Sequence, residues 1–283
     1  MKVTAAALVA SLGPAAAFVS TSSFAPRTAQ GAGVRHASPL QMSIAVFGAS
    51  GLLGSEVTYQ ALQRGEDVIA FLRDPSKLVV PAGSGGPDAG KPLKSDKLKV
   101  VQGSVVSYDD VTKAFAGGDV TGVVVALGGK TKDVGKTMLT DGTSNIIKAM
   151  KANGVKRIAA VTSIGAGDSE NQAPFFFKVL MFTVMKNIFE DKNNQEALFT
   201  RGPGSDLEFT IVRPGGLTVE PPTGVINVIS GEAGSISRAD VADFCLGAVL
   251  EEGFPYLRKT PCISSVGGTS WTKDRSAAAR GGM

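Results

Sequence analysis

Apolar positions along the chain fall in short blocks separated by polar, glycine-rich turns. Residues 44–47, Ile44-Ala45-Val46-Phe47, form an unbroken apolar run. After a turn, Leu52, Leu53, Val57, Ala61 and Leu62 recur at helical spacing. The first pattern predicts a strand buried on both faces and the second a helix. The alternation then repeats. Segments 67–72, 98–102, 122–127, 156–162, 207–212 and 260–264 read as strands, and 107–116, 138–153, 174–200 and 241–250 as helices. Gly154 is a stop signal for its helix, and Ser237-Arg238-Ala239-Asp240 opens the last one. Segment 81–97, rich in Gly, Pro and Lys, predicts a loop. Regular strand–helix alternation over this length predicts an α/β fold: a single Rossmann-like, doubly wound parallel sheet with helices on both faces.

The first turn carries the chemistry. Gly48, Gly51 and Gly54 stand at three-residue steps between a strand and a helix, the spacing that cradles a dinucleotide pyrophosphate. Gly48 permits the turn, Gly51 lets the backbone approach the phosphates, and Gly54 lets helix and strand pack closely. Ser50, Leu52 and Leu53 lie at the helix start, where unpaired amides and the positive dipole end favour phosphate. The end of the fourth strand, Ala126-Leu127-Gly128, is expected beside the same cofactor. The second strand ends in Arg73-Asp74-Pro75-Ser76-Lys77. Arg73, with Lys77 assisting, suits the extra phosphate of NADP(H). The alternative is that Asp74 binds ribose and the cofactor is NAD.

Residues 1–42 contain no Asp or Glu. Lys2, an apolar stretch from Val3 to Leu12 and Ala15-Ala16-Ala17 form a signal-peptide pattern, and a Ser/Thr/Ala-rich segment beginning Phe18-Val19-Ser20 follows. Together they resemble the bipartite presequence of plastids bounded by extra membranes; the alternative is simple secretion. The chain therefore divides into a presequence (1–42), an NAD(P)-binding domain (43–265) and a C-terminal tail expected to be flexible (266–283). Without the presequence, 26 basic residues face 25 acidic ones, so charge offers no reason to expect nucleic acid. Cys245 and Cys262 have no metal-ligand spacing, and the one histidine, His36, lies in the presequence. No metal site is expected, and Ser-His-Asp hydrolysis is excluded.

The region from Ser43 to about Ser265 resembles the atypical branch of the short-chain dehydrogenase/reductase superfamily, nearest its NmrA-like and biliverdin/flavin-reductase-like group. The glycine spacing, Arg73–Lys77, Asp141-Gly142-Thr143-Ser144-Asn145, Val161-Thr162-Ser163-Ile164-Gly165-Ala166 and Thr210-Ile211-Val212-Arg213-Pro214-Gly215 carry the likeness. The resemblance implies that Ser163, at the end of the fifth strand, is an active-site serine. It implies that Lys192, in Lys192-x-x-x-Glu196, is the superfamily lysine, which assists a tyrosine proton donor and holds the nicotinamide ribose. That tyrosine would stand four residues earlier, where this chain has Ile188. Ser104 likewise stands where the family often has an Asp near the adenine.

Alternatives remain for several side chains. Ser163 is either a contact to substrate or nicotinamide, or a turn serine. Lys192 is either a ribose contact or a solvated helix lysine. Arg213 either touches the cofactor cleft or is structural. Phe175–Met185 is unusually apolar and either walls the substrate pocket or docks on a thylakoid surface or protein partner. Aromatic walls suit small substrates with flat conjugated rings. Two functions follow. One is a plastid, NADPH-dependent reductase passing hydride to a flavin, quinone or tetrapyrrole. The other is a non-catalytic NADP(H)-binding redox sensor or assembly factor at the thylakoid or import machinery.

Overall fold

The computed structural model describes residues 42–129, 135–266 and 269–270. The presequence and residues 271–283 lie outside the described residues, and with them the expected cleavage region. In chain order the elements are β1 (Ser43–Phe47), α1 (Leu52–Gln63), β2 (Asp67–Leu72), β3 (Leu98–Gln102), α2 (Tyr108–Thr112), β4 (Val120–Val125), α3 (Met138–Ala152), β5 (Arg157–Val161), α4 (Phe175–Phe182), α5 (Lys186–Thr200), β6 (Glu208–Pro214), β7 (Gly216–Thr218), β8 (Asn227–Ile229), β9 (Ser235–Ser237), α6 (Arg238–Leu250), β10 (Cys262–Ser264) and β11 (Thr269–Ser270).

The main sheet runs β3-β2-β1-β4-β5-β6-β10-β8-β11. Strands β3 to β10 along this order are parallel, and β8 runs antiparallel against both β10 and β11. The order 3-2-1-4-5-6 reverses direction at β1, and such a switch point leaves a crevice at the carboxyl ends of the strands. In register, Phe47 pairs with both Phe71 and Val125, so the ends of β1, β2 and β4 meet at one edge. The predicted doubly wound sheet is the observed one.

Each face of the sheet is covered. Alternate residues of β1, including Ile44 and Val46, pack with Val57, Ala61, Phe244 and Leu246 of α1 and α6. Ala45 and Phe47 point the other way, into Phe115, Ile146, Met150 and Phe199 from the helical side formed by α2, α3 and α5. Phe47 contacts Phe71 and Phe115 ring to ring, with centroids 4.9 and 6.1 Å apart. A smaller cluster gathers Ile164, Met181, Ile188, Phe189, Ile229 and Cys262 near the carboxyl end of β5.

Helix starts follow local capping chemistry. The Ser107 hydroxyl accepts from the Asp110 amide before α2, and that of Ser237 accepts from the Asp240 amide, 3.0 Å away, before α6. Gly154, at φ +70°, ends the turn after α3.

Four differences from the expected pattern stand out. The single helix expected over 174–200 is two, α4 and α5. The chain leaves helical geometry at Thr183 (φ −108°, ψ −86°), whose hydroxyl donates to the Val179 carbonyl at 2.7 Å. Strands β7, β8 and β9 were not anticipated, because three residues show no readable alternation. The tail expected from residue 266 contains β11, which pairs with β8. Finally, the loop expected over 81–97 contains a short 3-10 turn at Gly86–Asp88, and the buried Glu56 of α1 accepts hydrogen bonds from the Gly83 and Ser84 amides through Oε1, tying the loop to α1.

Candidate functional site

The glycine turn is built by close backbone contact. Gly48 has φ +87°, and a Cβ there would lie 2.5 Å from the Ala126 carbonyl oxygen. A Cβ on Gly54 would lie 2.1 Å from the Gly48 carbonyl oxygen, so helix and turn meet without room for a methyl group. The Gly48 amide donates to the Phe71 carbonyl and the Ala126 amide to the Phe47 carbonyl, which lock the ends of β2 and β4 onto the turn. Gly51 is the N-cap of α1, and no side chain caps it. The first-turn amides of Leu52 and Leu53 are therefore left without an intrahelical or side-chain partner, as phosphate binding at a helix start requires. Ser50 is half-buried, Gly51 and Leu52 are exposed and Leu53 is buried. At the end of β4, Ala126 and Leu127 are half-buried, and a Cβ on Gly128 would meet nothing within 4 Å. The residues present fit a dinucleotide: an open backbone cradle flanked by open strand ends.

At the end of β2, Arg73 is exposed, and its guanidinium makes no ion pair with any described residue. Asp74 turns inward on its own chain. It accepts from the Ser76 amide and hydroxyl, at 3.1 and 2.7 Å, and those bonds hold its carboxyl below the usual range, with Lys77 assisting from 3.4 Å. Lys77 is thus joined to Asp74. Next to this corner, the Asp110 carboxylate accepts from the Ser104 amide at 3.1 Å. An acid reaches the place of Ser104 after all, from six residues further along. The Ser107-x-x-Asp110 spacing is the signal that could have marked it.

At the carboxyl end of β5, Ser163 is half-buried, and its hydroxyl bonds to no described residue. Lys192 of α5 reaches the same strand end, where its Nζ donates to the Thr162 carbonyl at 2.8 Å. It is not a solvated helix lysine. Burial holds it down to about 8, against the opposing pull of Glu196 and Asp191. One turn earlier Ile188 is buried among apolar neighbours.

The reading of Arg213 as a cofactor contact is corrected. Arg213 is buried at the end of β6, and its guanidinium is engaged on both sides. Nε and Nη2 donate to the two oxygens of the buried Glu196 at 3.0 and 2.5 Å, and Nη1 donates to Asp168 at 2.5 Å. Burial alone would lower Arg213, but the bonds to Glu196 and Asp168 carry it above its ordinary value. The same contact holds the Asp168 carboxyl below its usual range. The group borders a polar cavity of about 530 Å³, with Asn193, Thr200 and Arg201 among its lining residues. None of the glycine-turn residues lines it. The Thr162 hydroxyl completes the cluster by donating to Glu196 at 2.6 Å. Glu196 and Asp168 were not foreseen as partners of Arg213, nor Thr162 as a partner of Glu196; only the Lys192-x-x-x-Glu196 spacing hinted at one of them.

Helix α4 has two faces. Met181 is buried, and a Cβ on Gly165 would lie 2.5 Å from its methyl carbon. Phe177 meets Phe189 edge-on with centroids 5.9 Å apart. Phe175, Val179, Phe182 and Val184 are exposed. One face thus walls the β5 end, and the other is an apolar surface. No described helix is long and apolar enough to cross a membrane.

Comparison with known proteins agrees with this geometry. Residues 48–252 match the family model described as NAD(P)H-binding. An uncharacterised chloroplastic protein of Arabidopsis thaliana is 31% identical over 219 residues, which cover 73% of this chain and 71% of that protein. The chloroplastic divinyl chlorophyllide a 8-vinyl-reductase of the same plant is 26% identical over 242 residues, 77% of this chain and 52% of that protein. Among solved structures, the oxidoreductase ylbE of Lactococcus lactis superposes with a TM-score of 0.65 at 19% identity, covering 85% of this chain and 97% of that one. ChuY of Escherichia coli, described as an anaerobillin reductase, gives 0.61 at 21%, covering 79% and 97%. A short-chain dehydrogenase/reductase of Veillonella parvula in complex with NADP gives 0.62 at 15%, covering 82% and 97%.

Proposed function

The chain belongs to the NAD(P)H-binding family, and from that premise we propose that it is a plastid reductase that takes NADPH and reduces a flat conjugated acceptor: a flavin, a quinone or a tetrapyrrole. One observation carries the reading. An open dinucleotide cradle at the ends of β1 and β4 lies at the same sheet edge as Ser163 and Lys192, while the place of the superfamily tyrosine is filled by the buried Ile188. A simple ketone needs a strong proton donor beside its oxygen. A conjugated acceptor spreads the incoming charge and demands less.

Bound NADPH supplies a hydride. The amides of Leu52 and Leu53 would hold its pyrophosphate, and Arg73 would pair with its 2′-phosphate. With Asp74 turned onto Ser76, its carboxylate is drawn away from a ribose, which favours NADPH over NADH. Ser163 offers its hydroxyl at the β5 end, and the buried face of α4 keeps water from that end. The names of two relatives, an anaerobillin reductase and a chlorophyllide reductase, support a conjugated acceptor, and the chloroplastic relatives support a plastid location. The exposed face of α4 is proposed as the surface that meets a membrane or protein partner.

The missing tyrosine also favours a second reading, a non-catalytic NADP(H)-binding sensor or assembly factor. NADPH oxidation by the purified chain against flavins, quinones and bilins separates the two. Turnover with at least one such acceptor, and poor turnover of simple ketones, is expected. Tight NADPH binding with no turnover on the whole panel overturns the reductase reading.

A further inference from the structure

Lys192 has hydrogen-bond donors to spare at the reacting end of the sheet. Its Nζ makes one bond, to the Thr162 carbonyl. That peptide is fixed, because the Thr162 amide donates to the Val212 carbonyl at 2.9 Å and the hydroxyl donates to Glu196. Both carboxylates nearest Lys192 on its own helix are bound elsewhere. Asp191 accepts from the amides of Leu139 and Thr140, at 2.8 and 3.0 Å, and from the Thr140 hydroxyl. Glu196 is bound by Thr162 and Arg213. Among the described residues no carboxylate is within ion-pair distance of the Lys192 ammonium. An ammonium has three N–H donors. Two of them have no partner among the described residues, at the strand end that also carries Ser163.

We propose that Lys192 itself, in place of a tyrosine, delivers the proton that completes reduction at this site. The proposal rests on the reductase reading above. Reduction of a conjugated acceptor takes one hydride and one proton. The hydride brings two electrons and forms a bond to an electron-poor carbon, nitrogen or oxygen of the acceptor, while a C–H bond of the nicotinamide breaks and the nicotinamide is left oxidised. The Nζ–H bond then breaks. The proton goes to the acceptor oxygen or nitrogen where the negative charge has collected, and the electron pair stays on Nζ. The neutral amine regains its proton from water when product leaves.

The surroundings suit this task. A proton donor works best when its pKa lies near the working pH, and burial holds Lys192 near 8. The charged groups around it are Asp191 and Glu196 on α5, then Arg213 on β6 and Asp168 on the turn after β5, both reached only through Glu196. Asp141 on α3 is exposed. Removing the Glu196 charge would push Lys192 lower still, whereas Ile188 excludes water without adding charge.

Two measurements test the proposal. In the cofactor-free chain labelled with ζ-15N lysine, the Nζ resonance that disappears in Lys192→Met should titrate with a midpoint near 8. A midpoint above 10 overturns the proposal. With the best acceptor, Lys192→Ala should lose roughly 100-fold in kcat and less than 10-fold in NADPH affinity. Added primary amines should restore turnover, faster for the more acidic ammonium ions. A lysine that only braces the fold or holds the ribose would show no such dependence. If Lys192→Ala folds poorly, Lys192→Met serves in its place: it should lose the decline in rate that the wild type shows above pH 8. A variant within threefold of the wild-type kcat overturns this assignment and leaves the reductase reading standing. A wild type that binds NADPH and turns over no acceptor overturns both.

Discussion

Two arginines end neighbouring parts of one sheet and meet opposite fates. Arg73, at the tip of β2, is exposed and has no ion-pair partner among the described residues. Arg213, at the tip of β6, is buried and held by Glu196 and Asp168. The same side chain at equivalent strand ends is left exposed to solvent in one case and is an internal brace in the other. The difference lies in what the next element brings. After β2 the chain runs into a short turn that uses its own acid, Asp74, for Ser76. Over β6 lies α5, which delivers Glu196 from the other side. A cation at a strand end is available to a ligand only where no buried carboxylate is folded onto it.

The comparison is broken most severely at Glu196. Glu196→Ala leaves the Arg213 guanidinium buried with only the exposed Asp168, and should cost roughly 3 to 5 kcal/mol in urea unfolding. Arg73→Ala should leave unfolding unchanged within about 0.5 kcal/mol. Equal effects of the two variants would erase the distinction drawn here.

Cofactor binding should show the reverse. Arg73→Ala should remove most of the preference for NADPH over NADH, about 1.5 to 3 kcal/mol for a charge-assisted bond. Arg213 variants that still fold should keep it. Calorimetry with both cofactors decides, and a wild type with equal affinities would sink the role of Arg73.

Lys192 extends the comparison to a half-buried cation without a carboxylate in ion-pair distance. Its native value, near 8, lies below the ordinary lysine value of about 10.4. Below pH 8 the ammonium is charged in both states, and the folded state bears the whole cost of burying it. From pH 8 to about 10.4 the unfolded chain binds more protons, so stability rises with pH. Lys192→Met should therefore be more stable than the wild type at pH 7, with a margin that shrinks towards pH 10. A margin independent of pH would contradict the burial of the charge.

The smallest effect is expected at Asp168, whose side chain is 85% exposed. Its carboxyl is held low by Arg213, so its contribution is present above about pH 4 and is lost as pH falls through its lowered value. Asp168→Asn should cost a few tenths of a kcal/mol, as surface pairs do. In an acid titration of unfolding the variant should lose slightly less than the wild type over that range, since Asp74, Asp110 and Asp206, also held low, titrate in both.

Legibility followed sequence distance. The glycine turn could be read directly, because its strand, turn and helix are contiguous and its requirement is conformational: Gly48 needs positive φ, and Gly54 has no room for a Cβ. Five of the six core strands could be read as apolar blocks long enough to show their pattern, and the edge strand β3, Leu98-Lys99-Val100-Val101-Gln102, from its place in the strand–helix alternation. Arg73 could be placed because it closes such a block. Arg213 could not, because its partners stand 17 and 45 residues away. The break between α4 and α5 was hidden because residues 174–200 keep a helical composition throughout. The chain leaves the first helix at Thr183 without a glycine or proline to mark the place.

The doubly wound sheet, the glycine turn and the lack of a tyrosine four residues before Lys192 were legible in the chain alone. These depend on local periodicity, on backbone freedom at particular glycines and on residue identity. Only the tertiary structure decided which polar groups were left available. It turned Asp74 onto Ser76, bound Asp191 to the amides of α3, closed Glu196 onto Arg213, and left Lys192 facing the β5 end with a single carbonyl as partner. The physical reason is that burial makes every charge seek a partner, and which partner it finds is set by the packing of helices far apart in the chain.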